Sequence, residues 1–380
     1  MNPIYAAMRA TVFEEMSALA RARGAINLGQ GFPDGDGPAD VRQEAARALI
    51  EGPNQYPPMM GLPALREAVA RHYAEHQGLT LTSDQVLVTS GATEALAAAI
   101  LAIVSPGDEV LIIEPAYDAY RPLIERAGGM VRTLTLSPPD WRIEVEAVDA
   151  AFARPPKAVI FNDPLNPAGR AFTHAEVALL AAACRRIGTI AICDEVWEHV
   201  RFDGRNHYPL IAEPGMAELA IKIGSAGKIF SMTGWKVGFV MAAPDLLEPI
   251  ARAHQFLTFT TPPALQTAVA YGLGKPMRWF EEMRAGYQHS RDLLASLLAD
   301  QGFVTLASDA TYFLCVDLPA SGFADDDRAF CLRAVEQAGV AAIPVSAFYG
   351  GESERRIVRL CFAKRDEVLV EAVRRLATLR

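Results

Sequence analysis

The chain has 380 residues, 51% of them apolar and 21% charged, a balance that excludes a largely disordered polymer and suggests two or three domains. Lys and Arg number 36 against 45 Asp and Glu, a formal charge of −9, so neither nucleic acid nor an anionic membrane is expected as the main partner. The richest apolar stretch, Ala95 to Val104, stops at Ser105-Pro106-Gly107, short of the ~18 residues of a membrane span.

Residues 1–30 show no regular rhythm and close on the turn-rich Asn27-Leu-Gly-Gln-Gly-Phe-Pro33; Glu14 and Glu15 interrupt the start, where no secretory signal is visible. Short, often β-branched apolar runs then predict buried strands at Val86–Val88, Val110–Ile113, Met130–Leu136, Ala158–Phe161, Thr189–Cys193, Ile221–Ile223 and Phe239–Ala242. Between them, Thr93 to Ile103 is rich in Ala and Leu and predicts a helix. Thr173-His-Ala-Glu176 is a capping box, followed by Val177, Leu180 and Cys184 at helical spacing. This alternation predicts an α/β fold with a mainly parallel sheet and helices on both faces. From about residue 275 a long helical pattern leads into strands near Thr311–Asp317 and Ile357–Phe362. A last helix from Asp366 carries Leu369, Val373 and Leu376 on one face. The expected division is an N-terminal segment, 1–32, packed with the small domain; a large α/β domain, 33–274; and a small α+β domain, 275–380. Five scattered cysteines, Cys184, Cys193, Cys315, Cys331 and Cys361, form no C-x-x-C pair. Buried thiols in a cytoplasmic protein are expected, without a zinc or redox pair and with no metal in the site.

Open parallel sheets bind ligands beyond the carboxyl ends of their strands. After the first strand comes Ser90-Gly91-Ala92-Thr93-Glu94, a helix start that suits a phosphate or is simply a cap. After the second comes Tyr117, a platform or a packing ring. After Ala158–Phe161 comes Asn162-Asp-Pro-Leu-Asn166-Pro-Ala-Gly169, a turn by composition. Thr189–Cys193 runs into Asp194-Glu195, costly to bury unless paired; a structural ion pair and a functional acid are equally open. Ile221–Ile223 leads into Gly224-Ser225-Ala226-Gly227-Lys228 and on to Thr233-Gly-Trp-Lys236. Together these offer a phosphate cradle, an aromatic platform, an amide, a carboxylate and a lysine, the inventory that pyridoxal phosphate needs. No G-x-G-x-x-G follows the first strand and no G-x-x-x-x-G-K-[ST] occurs, so nucleotide binding explains the set less well.

The chain resembles the fold-type I, class I/II pyridoxal-phosphate aminotransferases, in particular the branch of kynurenine/glutamine and methionine aminotransferases. The landmarks run nearly its whole length: Asn27-Leu-Gly-Gln-Gly-Phe-Pro-Asp34, Asn54-Gln-Tyr56, Ser90-Gly-Ala-Thr-Glu-Ala95, Glu114-Pro-Ala-Tyr-Asp118, Asn166-Pro-Ala-Gly169, Asp194-Glu-Val196, Ser225-Ala-Gly-Lys228, Thr233-Gly-Trp-Lys236, Thr311-Tyr-Phe313 and Arg359-Leu-Cys-Phe362. The resemblance implies a fold-type I PLP-transferase with pyridoxal 5'-phosphate as cofactor. It makes Lys228 the Schiff-base lysine and proton shuttle, and Asp194 the partner of the pyridine nitrogen. Gly91, Ala92, Thr93, Ser225 and Lys236 match cofactor contacts around the phosphate, and Tyr117 the ring stacked on the pyridine. By the same resemblance Asn166 would touch the cofactor's phenolic oxygen and lie near the substrate carboxylate. Arg359 matches the residue that grips that carboxylate, as a planar bidentate donor does better than lysine, and Gly31 matches a backbone contact to it. Phe13, Phe259 and Tyr312 fall near pocket-shaping positions. Tyr56 matches a residue reaching the phosphate from the neighbouring subunit, which implies a homodimer.

Three departures stand out. Asp163, Leu165 and Ala168 replace Thr, His and Thr of the usual turn. Trp197 replaces a tyrosine that donates to the phenolic oxygen; an indole has one N–H and no acidic proton. Phe13 stands where kynurenine-type members often carry Trp. The expected reaction is ping-pong transfer of an amino group from an L-amino acid of methionine, glutamine or aromatic type to a 2-oxo acid. The alternatives are a cysteine-conjugate β-lyase and a catalytically impaired cofactor-binding protein. A serine hydrolase built on Ser225-x-x-Lys228 lacks a K-T-G partner.

Overall fold

The computed structural model describes residues 3–8, 10–351, 353 and 356–380. A seven-stranded sheet forms its centre. In spatial order its strands are Val86–Thr89, Gly238–Met241, Ala220–Ser225, Ile190–Asp194, Ala158–Asn162, Glu109–Glu114 and Met130–Thr135. Only Gly238–Met241 runs antiparallel to its neighbours. All seven predicted strands form, within one or two residues of their expected ends. Six of the seven strands are buried on both faces, which is why their runs read as mostly apolar, while the edge strand Met130–Thr135 is largely exposed. Val110, Ile112, Ile160, Ile192, Ile221 and Ile223 enter one core, while Leu111, Ile113, Val159, Phe161, Ala191 and Cys193 enter the other.

Helices cover these faces. Gly91–Ile103 packs against Pro244–Leu257. His174–Ile187 starts on the predicted capping box: Thr173 accepts from the Glu176 N–H, and Glu176 accepts from the Thr173 N–H at 2.9 Å. Such a cap is worth about 1 kcal/mol, and Arg170 locks it further, pairing with Glu176 at 2.8 Å.

A second, four-stranded antiparallel sheet orders Ile343–Pro344, Ile357–Cys361, Phe313–Asp317 and Val304–Thr305. Leu314, Val316, Val358 and Leu360 join the same core as Ile192 and Ile221, so one apolar body runs between the two sheets. The 24-residue helix Met277–Asp300 spans both: Phe280 near its start packs into the other core, Leu294 and Leu298 near its end into the shared one. Near the N-terminus, Ile26–Asn27 pairs in parallel with Val340–Ala341. Among the described residues no helix is long and apolar enough to cross a membrane.

Candidate active site

Five strands of the large sheet end on one edge, and their following turns meet there. A cavity of about 250 Å³ is lined by Gly91, Ala92, Thr93, Tyr117, Asn162, Asn166, Asp194, Trp197, Ser225, Lys228, Thr233 and Lys236, among others. The predicted cofactor set, except Tyr56, is therefore brought together. A second cavity of about 370 Å³ adjoins it, sharing Tyr117, Asn166, Trp197, Lys228 and Thr233 and adding Phe13, Gly31, Phe313 and Arg359.

Asp194 and Glu195 follow one another but face different tasks. Glu195 is fully buried and meets Lys222 and His207, the latter at 2.7 Å. Burial alone would raise its pKa; the two cations overcome this and lower it to about 2. Asp194 has no such ion pair. Its Oδ2 accepts from the Tyr120 hydroxyl at 2.5 Å, while Oδ1 is buried without a hydrogen-bond partner. Burial raises its pKa to about 6, against the lowering pull of Tyr120 and Lys228. Glu195 thus takes the structural ion pair, and Asp194 keeps one oxygen in reserve for a donor that the protein does not supply.

Lys228 sits in the short helix Ala226–Ile229, directly after the strand ending at Ser225. Its Nζ donates to the Tyr312 hydroxyl at 3.2 Å and lies 4.4 Å from the centre of the Trp197 ring. Burial lowers its pKa to about 8, with Asp194 opposing the shift. That is the range of an amine that can act as nucleophile and base near neutrality.

The phosphate end is built from backbone. Gly91 opens its helix at φ 78°, and the N-cap Ser90 makes no side-chain cap, so the N–H groups of the first turn face the cavity uncapped. A Cβ on Gly91 would lie 3.3 Å from Lys236 Nζ, and a Cβ on Gly238 would collide with the Gly91 carbonyl carbon at 2.5 Å. Only glycine lets strand, helix start and lysine converge there.

Arg359 lies mid-strand, 1% exposed, opposite Cys315 and Ile343. Its two terminal nitrogens donate to Asn166 Oδ1 at 2.7 Å and the Gly29 carbonyl at 2.9 Å; its Nε is buried without a partner. Phe313 stacks 3.8 Å from the guanidinium, with Phe13 and Phe348 at 5.2 and 5.1 Å. Burial lowers its pKa to about 10, and it stays a cation at neutral pH with no acid bound to it.

The altered turn keeps its shape. Gly169 adopts φ 72°, and its N–H donates to the Leu165 carbonyl at 2.9 Å. Asp163 accepts from the Phe172 N–H at 3.0 Å, and Leu165 and Ala168 are buried. Trp197 is buried, meeting Tyr312 edge-on at 4.3 Å. Tyr312 also donates to the Gly31 carbonyl at 2.7 Å. Three predicted residues line neither cavity: Tyr312 is buried and reaches the site through its bond to Lys228, while Tyr56 is 84% exposed and Phe259 38% exposed, the two pairing edge-on at 5.5 Å. Sequence reasoning missed Tyr120 and Asn162. Asn162 is the register partner of Asp194, donates to its carbonyl at 2.8 Å and holds the Asn166 N–H at 2.9 Å.

The donor set fits pyridoxal phosphate on these grounds: an unpartnered buried carboxylate oxygen, a side-chain-free cradle at a helix start, and an amine held between aromatic rings. Comparison with known proteins agrees. Residues 23–376 match the model of the family aminotransferase class I and II. A probable N-succinyldiaminopimelate aminotransferase of Mycobacterium tuberculosis is 42% identical over 97% of this chain and 96% of its own. The solved structure of N-succinyldiaminopimelate aminotransferase from that species superposes with a TM-score of 0.97 over 100% of both chains. The methionine aminotransferase of Escherichia coli is 39% identical over 97% of this chain and 96% of its own. Human kynurenine–oxoglutarate transaminase 1 is 33% identical over 94% and 93%. The chain therefore belongs to the class I and II aminotransferases, enzymes that use pyridoxal 5'-phosphate to move amino groups between amino acids and 2-oxo acids.

Proposed function

We propose that this aminotransferase prefers L-amino acids with a neutral side chain, of methionine, glutamine or aromatic type. The observation that carries this is the lining of the second cavity. Phe13, Phe32, Tyr117, Trp197 and Phe313 supply apolar surface beside the uncharged polar groups of Thr11, Gln30, Asn166 and Thr233, and among the described residues its only cations are Arg359 and Lys228. Arg359 is committed to the α-carboxylate, so a second carboxylate on the substrate finds no cation and instead meets Asp118. The test compares kcat/KM for L-methionine, L-glutamine and L-phenylalanine with that for N-succinyldiaminopimelate. A higher value for the last would overturn the preference.

Pyridoxal phosphate, when bound, supplies an aldehyde for an amine and a ring that withdraws electrons. Lys228 would carry the aldehyde and, once freed by substrate, move the proton from the substrate Cα. Asp194 Oδ1 would hold a proton on the ring nitrogen. The first-turn N–H groups at Gly91–Thr93, with Ser225 and Lys236, would hold the phosphate, Tyr117 would cover one ring face, and Asn166 would meet the phenolic oxygen. Arg359 Nε and its neighbours would orient the substrate through its carboxylate, with Gly31 beside it. Adding L-methionine without a 2-oxo acid should shift the visible band of the bound cofactor, and a 2-oxo acid should restore it. Pyruvate and ammonia released from a cysteine conjugate, with no acceptor present, would instead show β-elimination.

The proposed active unit is a homodimer with Tyr56 serving the neighbouring site. What supports it is the exposed ring pair Tyr56–Phe259, together with further large apolar side chains left exposed at Ile50, Phe256 and Leu257. The proposed division at residues 32 and 274 is supported by the pairing of Ile26–Asn27 with Val340–Ala341, which joins the N-terminal segment to the C-terminal third. A cytoplasmic setting is supported by five free, buried thiols.

A further inference from the structure

Away from the cofactor cavity, three imidazoles gather from two distant stretches of chain. His72 and His76 lie one turn apart on the helix Pro63–Gln77, and His199 lies in the segment that follows Asp194. One ring nitrogen of each comes within 4.8 Å of the others. His72 and His76 stack at 4.2 Å, and His72 Nε2 stands 2.8 Å from His199 Nε2. His72 Nδ1 is 3.4 Å from the Leu273 carbonyl. The carbonyl can only accept, so His72 carries its proton on Nδ1, as an outer-shell partner fixes it in metal-binding imidazoles, and in the metal-free protein His72 Nε2 accepts from His199 Nε2–H, a proton that a metal would have to displace. His199 is 2% exposed, and its Nδ1 has no hydrogen-bond partner. Phe280 lies against all three rings, at 5.2, 4.6 and 5.2 Å, and closes the cluster on one side with an apolar wall.

We propose that His72, His76 and His199 form a binding site for a divalent transition metal of the zinc class. The spacing His72-x-x-Glu75-His76 is that of helix-borne zinc ligands. Burial keeps the three imidazoles neutral, the form a metal needs. The charges around the cluster narrow the choice of ion. Arg201 and Arg284 bear on His76 and His199, and Lys222 on His72, and all three oppose any cation, while Glu198 acts on His76 in the opposite sense. An ion held by charge alone, such as magnesium, gains nothing here, whereas zinc gains coordinate bonds to nitrogen. Three protein ligands leave a fourth tetrahedral position for water on the side of His76, which is half-buried. A neighbouring group, Glu195, Glu198 and His207, has metal-like spacing too, but the Lys222 ammonium already fills it.

The bound ion would clasp the helix Pro63–Gln77 to the segment carrying Asp194 and Trp197. The test is calorimetric titration of the untagged holoenzyme with Zn²⁺, alongside thermal melts with Zn²⁺ or Mg²⁺. One zinc per chain and a higher Tm with zinc alone are expected. His76→Gln should weaken zinc binding more than about tenfold, the loss that even an outer-shell change produces, while leaving the visible spectrum of the bound cofactor unchanged. His199→Asn, its folding checked by circular dichroism, should do the same. Absence of saturable zinc binding, an equal response to magnesium, or undiminished affinity in His76→Gln would overturn the site.

Discussion

Asp194 and Tyr120 share one short hydrogen bond, 2.5 Å from the phenol to Oδ2, and the opposite oxygen, Oδ1, is buried with nothing to accept from. An acid in that position is destabilised as an anion until a donor arrives. Its native pKa, about 6, lies above the ordinary 3.8. Between those values the unfolded chain has released the proton that the folded chain still binds. The cofactor-free protein therefore loses stability as pH rises from about 4 to about 6, by on the order of 3 kcal/mol from this group. Asp194→Asn should remove that loss. The variant's melting point relative to the parent, both cofactor-free, should rise between pH 4 and pH 8, and turnover should fall about a hundredfold or more. A pH-independent gap would contradict the assignment.

Lys228 supplies the complementary test. With a pKa of about 8, the free amine of the cofactor-free enzyme becomes abundant only as pH approaches that value. The rate of pyridoxal phosphate capture, followed by absorbance, should rise with pH up to about 8 and then level off. Lys228→Ala should keep cofactor only noncovalently and lose turnover by about a thousandfold or more.

Trp197 offers a single N–H where the family resemblance implies a phenol. With the weaker donor, protonation at the bound cofactor should persist to higher pH. Trp197→Tyr is expected to lower the pH midpoint of the visible absorption change by about one unit, the worth of one hydrogen bond. Equal midpoints would sink this reading.

Arg359 keeps Nε without a partner while Asn166 and Gly29 hold its other nitrogens. Arg359→Lys preserves the charge and loses the planar fork. Its kcat/KM should drop about a hundredfold for donor and acceptor alike, mostly through KM.

Tyr56 stands 84% exposed beside Phe259. If it serves the neighbouring site, Tyr56→Ala should weaken cofactor retention although it touches neither cavity of its own chain. Mixing that variant with Lys228→Ala under exchange should restore part of the activity, because one site of each mixed pair is intact. No recovery would place Tyr56 outside the partner's site.

The strands were readable because burial on both faces leaves short apolar runs such as Ala158–Phe161, cut by Pro or Asp at their ends. The same burial hides a strand's direction. Nothing in Phe239-Val240-Met241 announces that it alone runs backwards, since no alternation marks which side faces which neighbour. Lys228, Asp194 and Asn166 were legible as chemistry stationed at strand ends. Tyr120 was not: it resembles any aromatic residue on a helix, and its meaning comes from Asp194, 74 positions away. The three histidines escaped for the same reason, His72 and His199 being 127 residues apart. Nor could residue patterns set Phe259 beside Tyr56 on the outside, since an apolar ring reads alike in a core and on an interface.

The reversed strand also dictates an order of events during synthesis. Val86–Thr89 is made first of the seven, yet its one neighbour in the sheet, Gly238–Met241, is made last. Until Met241 has left the ribosome, that early strand has no companion, and the glycine that must slide beneath Gly91 has not been made. A ribosome-stalled chain ending before Gly238 should therefore expose Val86–Thr89 to protease. Long-range pairing of this kind slows folding, and the growing chain must hold an unpaired apolar edge in waiting through the translation of the whole parallel sheet.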